Sequence, residues 1–148
     1  MRMRMQGRKQ KIWIACLLLV FAVVKIVALL WWKNQQPAIE RLTEAQCNVS
    51  RGCILPNGVK VKFSDEIQAK EPFDIVLQNV PQEVAEVFVS FSMSGMDMGF
   101  NRYKLVHQGS GTWKAEQVRL PVCVQNRYDY LADIHIGKQV FQAAFTAR

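Results

Sequence analysis

Residues 83–93 read EVAEVFVSFSM, and apolar and polar side chains alternate along the second half of this stretch. The apolar side chains recur at every second position, which places them on one face of an extended strand. They are Val87, Val89, Phe91 and Met93. The stretch therefore predicts a β-strand with one face turned toward a core.

Shorter runs of the same kind flank this stretch, and Gly, Pro and polar turn signals separate them. They cover residues 58–63, 72–80, 101–107, 113–124, 128–136 and 140–146. Gly137-Lys138 predicts a two-residue hairpin turn with Gly in first position. About seven short strands without a sustained helical period are typical of an antiparallel sandwich. We therefore expect a mainly β, immunoglobulin-like β-sandwich over residues 47–148.

Residues 12–32 read IWIACLLLVFAVVKIVALLWW and carry one charge, Lys25. As a helix this segment would be about 32 Å long, which matches the hydrocarbon core of a bilayer. Basic residues in the leader, residues 1–11, place the N-terminus in the cytoplasm. The segment ends in bulky residues, which favours an uncleaved signal anchor over a cleaved signal peptide. We expect a single-pass inner-membrane protein with a linker over residues 33–46 and a periplasmic domain.

Lys25 lies near the middle of this apolar segment, where an ammonium group is costly. One interpretation is that its long side chain snorkels toward the far interface. The other is that Lys25 contacts an acidic group on the helix of a membrane partner. The sequence does not distinguish the two.

The net charge of +7 belongs entirely to the first 33 residues, because the remaining basic and acidic residues balance. A nucleic-acid-binding domain would carry a basic face on its folded part, so the charge pattern excludes that class. The sequence also lacks a nucleophile–base constellation, a His-rich site and a phosphate-binding loop. We therefore expect a function that is not enzymatic.

Residues 38–45, AIERLTEA, are long enough for about two helical turns within the linker. Cys47 and Cys53 follow closely, and such a pair in an envelope compartment favours a disulfide. The alternatives are a thiol metal site, or a pairing of either cysteine with Cys123. If Cys123 is unpaired, it is a buried thiol or a soft metal ligand. Sequence alone does not choose the pairing.

Three methionines fall within six residues, at Met93, Met96 and Met98, on either side of Ser94-Gly95. Thioethers suit Cu(I) and are poor ligands for Zn²⁺ or Mg²⁺, so this spacing is compatible with a copper site. The alternative is a packed corner, because methionine is an adaptable core residue. Cys123 and His107 are weaker candidate ligands. His135 lies on the polar face of its run, and we expect it at the surface.

Three segments together resemble known small envelope domains: FSMSGMDMGFNRYKL at residues 91–105, GTWKA at residues 111–115 and LPVC at residues 120–123. They are similar to domains of the FixH-like and YtkA-like type, over roughly residues 72–145. The resemblance implies copper handling, or a role in respiratory oxidase assembly, through Met93, Met96 and Met98. A cysteine at position 123 departs from that pattern.

Two functions follow from these observations. The first is a tethered module that binds Cu(I) through the methionines and serves a respiratory or copper-handling membrane protein. The second is an interaction protein without a metal, which docks to a membrane complex through its span, with Lys25, and through its sandwich.

Overall fold

The structure is a computed structural model that describes residues 3–96, 98–122 and 126–148. The chain divides into two compact units, Met1–Pro37 and Ala38–Arg148. Each unit has its own architecture, and they are described in turn.

The first unit is one helix, α1, from Met3–Gln35, which contains the whole of the predicted span, residues 12–32. Its apolar side chains are exposed from Ile12 to Trp32. The helix is long and apolar enough to cross a membrane. Lys33 lies in the last turn, where a cation interacts favourably with the helix dipole, and Pro37 follows the end of the helix.

The described part of the second unit forms ten strands. They are β1 (Ile39–Leu42), β2 (Cys53–Ile54), β3 (Lys60–Phe63), β4 (Phe73–Gln78), β5 (Val87–Ser92), β6 (Tyr103–Lys104), β7 (Val106–Gly109), β8 (Thr112–Val118), β9 (Asp129–Ile136) and β10 (Gln139–Thr146). Sheet 1 has the order β1-β10-β9-β5-β6, and sheet 2 has the order β2-β3-β4-β8-β7. The expected mainly β, two-sheet sandwich with antiparallel strands is confirmed.

Alternation of the side chains explains how the two sheets pack. In β5 the odd-numbered residues are buried and the even-numbered ones are half-buried on the outer face. Four phenylalanines meet between the sheets with ring centroids 5.8–6.4 Å apart, mostly edge to face. They are Phe63, Phe73, Phe91 and Phe145. The core therefore lies between the inner faces of the two sheets.

The turn predicted at Gly137-Lys138 joins β9 and β10, whose register pairs Ile136 with Gln139. Gly137 has a φ of 59°, which favours glycine, and its N–H donates to the carbonyl of Glu86. The predicted two-residue hairpin is confirmed, and it fixes the pairing of the two longest strands.

The prediction of helical turns within residues 38–45 is wrong. Ile39–Leu42 form β1, which pairs in parallel with β10. This is the only parallel pair among the described strands. Leu42 packs against the core. A helix of two turns is only marginally stable in isolation. Pairing with the open edge of β10 instead gives this segment interstrand backbone hydrogen bonds.

Two predicted strands also differ from the observed ones. Residues 101–107 form two short strands in different sheets, because the chain crosses from sheet 1 to sheet 2 at the buried Leu105. The run from Trp113 ends at Val118 rather than residue 124. Gln117 has a φ of 58°, which interrupts the extended backbone just before that end.

Cys47 and Cys53 form a disulfide, which confirms the favoured pairing. Cys47 is fully buried and belongs to the core cluster, and Cys53 packs against that cluster. Gly52 closes the intervening turn by donating its N–H to the carbonyl of Asn48. The bond therefore joins the start of β2 to the segment that follows β1.

Candidate functional site

Met93, Met96 and Met98 lie at the end of β5, and we call them the methionine corner. Met93 continues the alternation of β5 and is 2% exposed within the core. A tight turn follows, in which the N–H of Met96 donates to the carbonyl of Met93 at 3.0 Å. Gly95 has a φ of 74° in this turn, a conformation that glycine adopts without strain. The turn therefore reverses the chain directly after a buried methionine.

Met96 and Met98 are half-buried, and both pack against the core. The corner therefore combines one enclosed thioether side chain with two that reach the surface. Asp97 lies outside the described residues. Because Met93 is enclosed, it could join Met96 and Met98 around one ion only by leaving the core.

Side-chain hydrogen bonds hold the loop that follows the corner. The amide of Asn101 accepts from the N–H of Phe91 at 2.6 Å and donates to the carbonyl of the same residue at 2.7 Å. Arg127 donates to the carbonyl of Ser94 at 3.3 Å. These bonds hold the turn at Ser94 and the loop at Asn101.

Hydrogen bonds from two tyrosines anchor the segment that follows β8. The hydroxyl of Tyr103 donates to the carbonyl of Arg119 at 2.7 Å, and that of Tyr130 donates to the carbonyl of Pro121 at 3.0 Å. Tyr130 is buried, so its hydroxyl gains a partner that water cannot supply. Cys123, a weaker candidate ligand, lies outside the described residues.

His107, the other weaker candidate, is not brought to the methionines. It lies on β7 in sheet 2, where its ring packs edge-on against Trp113 with centroids 5.0 Å apart. Leu105, two residues earlier, bonds to Val87 at the start of β5, whereas Met93 follows the end of that strand. At about 3.3 Å per residue, the corner lies roughly 20 Å along the strands from Val87.

His135 lies on the outer face of sheet 1, as its alternation predicted, and it is half-buried there. Its imidazole stacks on Phe88 with centroids 4.1 Å apart. Burial lowers the pKa of His135, the charge of Arg102 lowers it further, and the carboxylate of Asp133 opposes both effects. A neutral imidazole on an aromatic ring is a packing arrangement, and its neighbours are not soft ligands.

The described residues contain no group of three or more His, Cys, Asp or Glu side chains arranged to hold a metal ion. The corner instead offers the thioethers of two half-buried methionines, Met96 and Met98, and thioethers suit Cu(I) better than harder ions.

A groove of about 360 Å³ on the outer face of sheet 1 was not predicted from the sequence. Its floor includes Ser90 and Ser92 of β5, and one wall is the loop with Phe100 and Arg102. Phe100 is 94% exposed. The alternation of small serines with large core residues in β5 is the one sequence signal for a depression on this face, and it has meaning only once the neighbouring strands are known.

In the first unit, the ammonium group of Lys25 lies 5.0 Å from the ring centroid of Phe21, one turn earlier on the same helix. The side chain is exposed on the helix surface. A cation beside an aromatic ring gains a modest attraction, which leaves the ammonium group able to meet an acidic partner.

Comparisons of the chain with known protein families, curated proteins and solved structures gave no match.

Proposed function

We propose that this protein is a membrane-tethered interaction protein, in which helix α1 anchors a β-sandwich that docks to the outer part of a membrane complex. The observation that carries the proposal is the short connection between α1 and β1, residues 36–38, which we call the tether. Helix α1 ends at Gln35 and β1 begins at Ile39. At about 3.5 Å per residue, this connection spans at most roughly 14 Å.

A short tether favours docking over transport of a cargo. A carrier that moves between partners needs a long flexible linker, whereas a docking module gains from a small search volume and a high effective concentration. The 33–46 linker of the sequence prediction would have allowed far more movement, but much of it belongs to β1 and the turn after it.

The proposed location is the inner membrane, with the N-terminus in the cytoplasm and the sandwich in the periplasm. Basic residues precede the span, and acidic residues first occur after it. The disulfide between Cys47 and Cys53 supports an oxidising compartment for the sandwich, because such bonds persist in the envelope and not in the cytosol.

Lys25 is the proposed contact within the membrane, where it would meet a carboxylate on a partner helix. Its position near the centre of the apolar segment supports this role, because an ammonium group there is costly unless it is paired. The test is photo-crosslinking from a residue beside Lys25 in native membranes. We expect recovery of an integral membrane protein that Lys25→Leu loses and the control Lys33→Leu retains. Equal recovery from both variants would contradict the contact.

Copper binding is the second candidate function. The FixH-like resemblance motivates it, and the partial exposure of Met96 and Met98 between Gly95 and Gly99 favours it. The residues fit in part, because Met93 is enclosed by the core. When bound, Cu(I) would be held by the thioethers of Met96 and Met98, while Met93 stays in the core.

Titration of the full chain with Cu(I) against a competing chelator tests this candidate. The double variant Met96→Leu/Met98→Leu removes the sulfurs of both half-buried methionines while keeping apolar side chains of similar size. We expect it to lose Cu(I) binding, while Met93→Leu retains it. Copper binding is ruled out at this corner if the wild type competes no better than the double variant.

A further inference from the structure

The outer face of sheet 1 carries groups of opposite character on the two sides of β5. The register pairs Ser90 with Asp133 of β9 on one side. On the other side Phe88 pairs with Lys104 of β6, and the same register continued places Arg102 beside Ser90. Asp133 and the backbone of Arg102 thus lie on opposite sides of Ser90, whereas the guanidinium of Arg102 extends over the ring of Phe88, one outward-facing row away.

The next outward-facing row repeats this arrangement with apolar groups. Ser92 pairs with the half-buried Leu131 of β9. Phe100, in the loop that precedes β6, lines the groove together with Ser92. Phe100 is almost fully exposed, although a large aromatic side chain usually finds cover.

From this arrangement we propose that the outer face of sheet 1 binds the same face of a second copy of the chain, about a two-fold axis that runs along β5. Such an axis places the β6 side of each copy opposite the β9 side of the other, and it keeps every residue at the same position along the strand direction. The Arg102 side of each copy then faces the Asp133 side of the other, and the guanidinium reaches that carboxylate once it turns away from Phe88. Phe100 lies on the side that faces Leu131 of the other copy. The surface is therefore complementary to itself, as a closed two-fold interface requires.

The polar groups in the contact are suited to this role. Asp133 accepts a hydrogen bond from Gln142 at 2.8 Å and forms no ion pair with another described residue. Arg102 donates to Glu86 at 3.0 Å and lies 3.5 Å from the ring centroid of Phe88. Both side chains of the Arg102–Glu86 ion pair are partly exposed to solvent, so turning the guanidinium toward a carboxylate across the interface costs little.

The floor of the groove leaves room for the aromatic side chain. Ser90 and Ser92 are the smallest outward-facing residues of β5, and they lie on or beside the proposed axis. Two sheets that pack face to face lie about 10 Å apart, a distance that large side chains fill and serines leave open. Phe100 of each copy would enter this space.

The direction of the axis also agrees with anchoring in one membrane. Strand β1 begins at Ile39, which pairs with Val140 near the hairpin at Gly137. An axis along β5 keeps this end of both sandwiches on the same side, so both helices can enter one bilayer. Confinement to a membrane raises the effective concentration of the two copies and favours even a modest interface.

A charge exchange on the full-length protein in detergent, followed by native mass spectrometry, tests the proposal. Arg102→Asp and Asp133→Arg each place like charges opposite each other twice in a symmetric dimer. We expect each variant alone to weaken dimerisation by about tenfold or more. Mixing the two variants creates two attractive pairs, so we expect a heterodimer at the level of the wild-type dimer.

A second measurement does not depend on those charges. Ser90→Cys lies on the proposed axis, and we expect a short bismaleimide to join two copies through it in a Cys16→Ala/Cys123→Ala background. The control Val76→Cys, on the outer face of sheet 2, should give no such product.

Three results overturn the proposal. One is a wild-type protein that is monomeric and does not crosslink at Ser90→Cys. Another is a dimer that survives both charge reversals, as a dimer held by the span alone would. The third is equal crosslinking at the two engineered positions. None of these results bears on whether Lys25 contacts a different membrane protein, so the docking proposal is tested separately.

Discussion

The side chain of Asn101 pairs with the backbone of Phe91 in the way that a neighbouring strand would. Its amide oxygen accepts from the N–H of Phe91 and its amide nitrogen donates to the carbonyl of that residue. Strand β6 is only two residues long, so it does not reach Phe91 with its own backbone. Asn101 thus supplies hydrogen-bond partners for the backbone of Phe91 at the edge of β5, and it holds the loop with Phe100 against the sheet.

We expect Asn101→Ala to destabilise the sandwich by about 1–3 kcal/mol, because Phe91 would lose partners for both backbone groups. Asn101→Asp keeps an acceptor for the N–H of Phe91 but places a carboxylate oxygen against its carbonyl, so we expect a loss of similar size. Pulse proteolysis of the full chain in urea measures both. An unchanged midpoint for Asn101→Ala would show that water replaces the amide without cost.

The three methionines should differ sharply in their contribution to stability. Met93→Ala removes a buried side chain and leaves a cavity, so we expect a loss of about 2–5 kcal/mol. Met96→Ala and Met98→Ala affect half-buried side chains and should cost less than Met93→Ala. The same proteolysis measurement ranks them. If Met93→Ala were the mildest of the three, the placement of Met93 in the core would be wrong.

Loss of the disulfide should destabilise the sandwich without changing its fold. For a loop of this length the chain-entropy relation gives about 2 kcal/mol. The double variant Cys47→Ala/Cys53→Ala tests this, and reduction of the wild type by a thiol should lower the urea midpoint in the same direction. A midpoint that does not respond to reduction would contradict the role assigned to the bond.

Stability should fall at mildly acidic pH through His135. Its pKa is lower in the folded protein than in the unfolded chain, mainly because of burial. Protons therefore bind more tightly to the unfolded chain, and this contribution is complete above the unfolded pKa of about 6.5 and declines as the pH falls below it. We expect His135→Gln to flatten this decline. The urea midpoint of both proteins, measured on either side of that pH, gives the comparison.

The sequence predicted those parts of the fold where alternation is strong. The apolar positions of β5, β9 and β10 recur at every second residue, and the structure buries them as expected. The apolar helix was equally clear, because residues 12–32 carry one charge and are long and apolar enough to cross a membrane. In both cases the signal is local and repeats over many residues.

Long-range pairing was not predictable in the same way. Strand β1 has no alternation and exists because the edge of β10 accepts it in parallel. The position of His107 depends on the change of sheet at Leu105, which separates it from the methionine corner. The groove beside Phe100 depends on the registers of three strands. These pairings join distant parts of the chain, so they cannot be predicted from the local pattern of a single sequence.

The most direct test of the docking function is the yield of crosslinks from the sandwich to a membrane partner when the tether is lengthened. A flexible Gly-Ser insertion of about twelve residues after Gln36 leaves helix α1 and β1 intact but greatly increases the volume that the sandwich can search. The account predicts that crosslinks from the sandwich decrease while crosslinks from the span beside Lys25 stay at the level of the native tether. Equal yields from the sandwich with both tethers would contradict it.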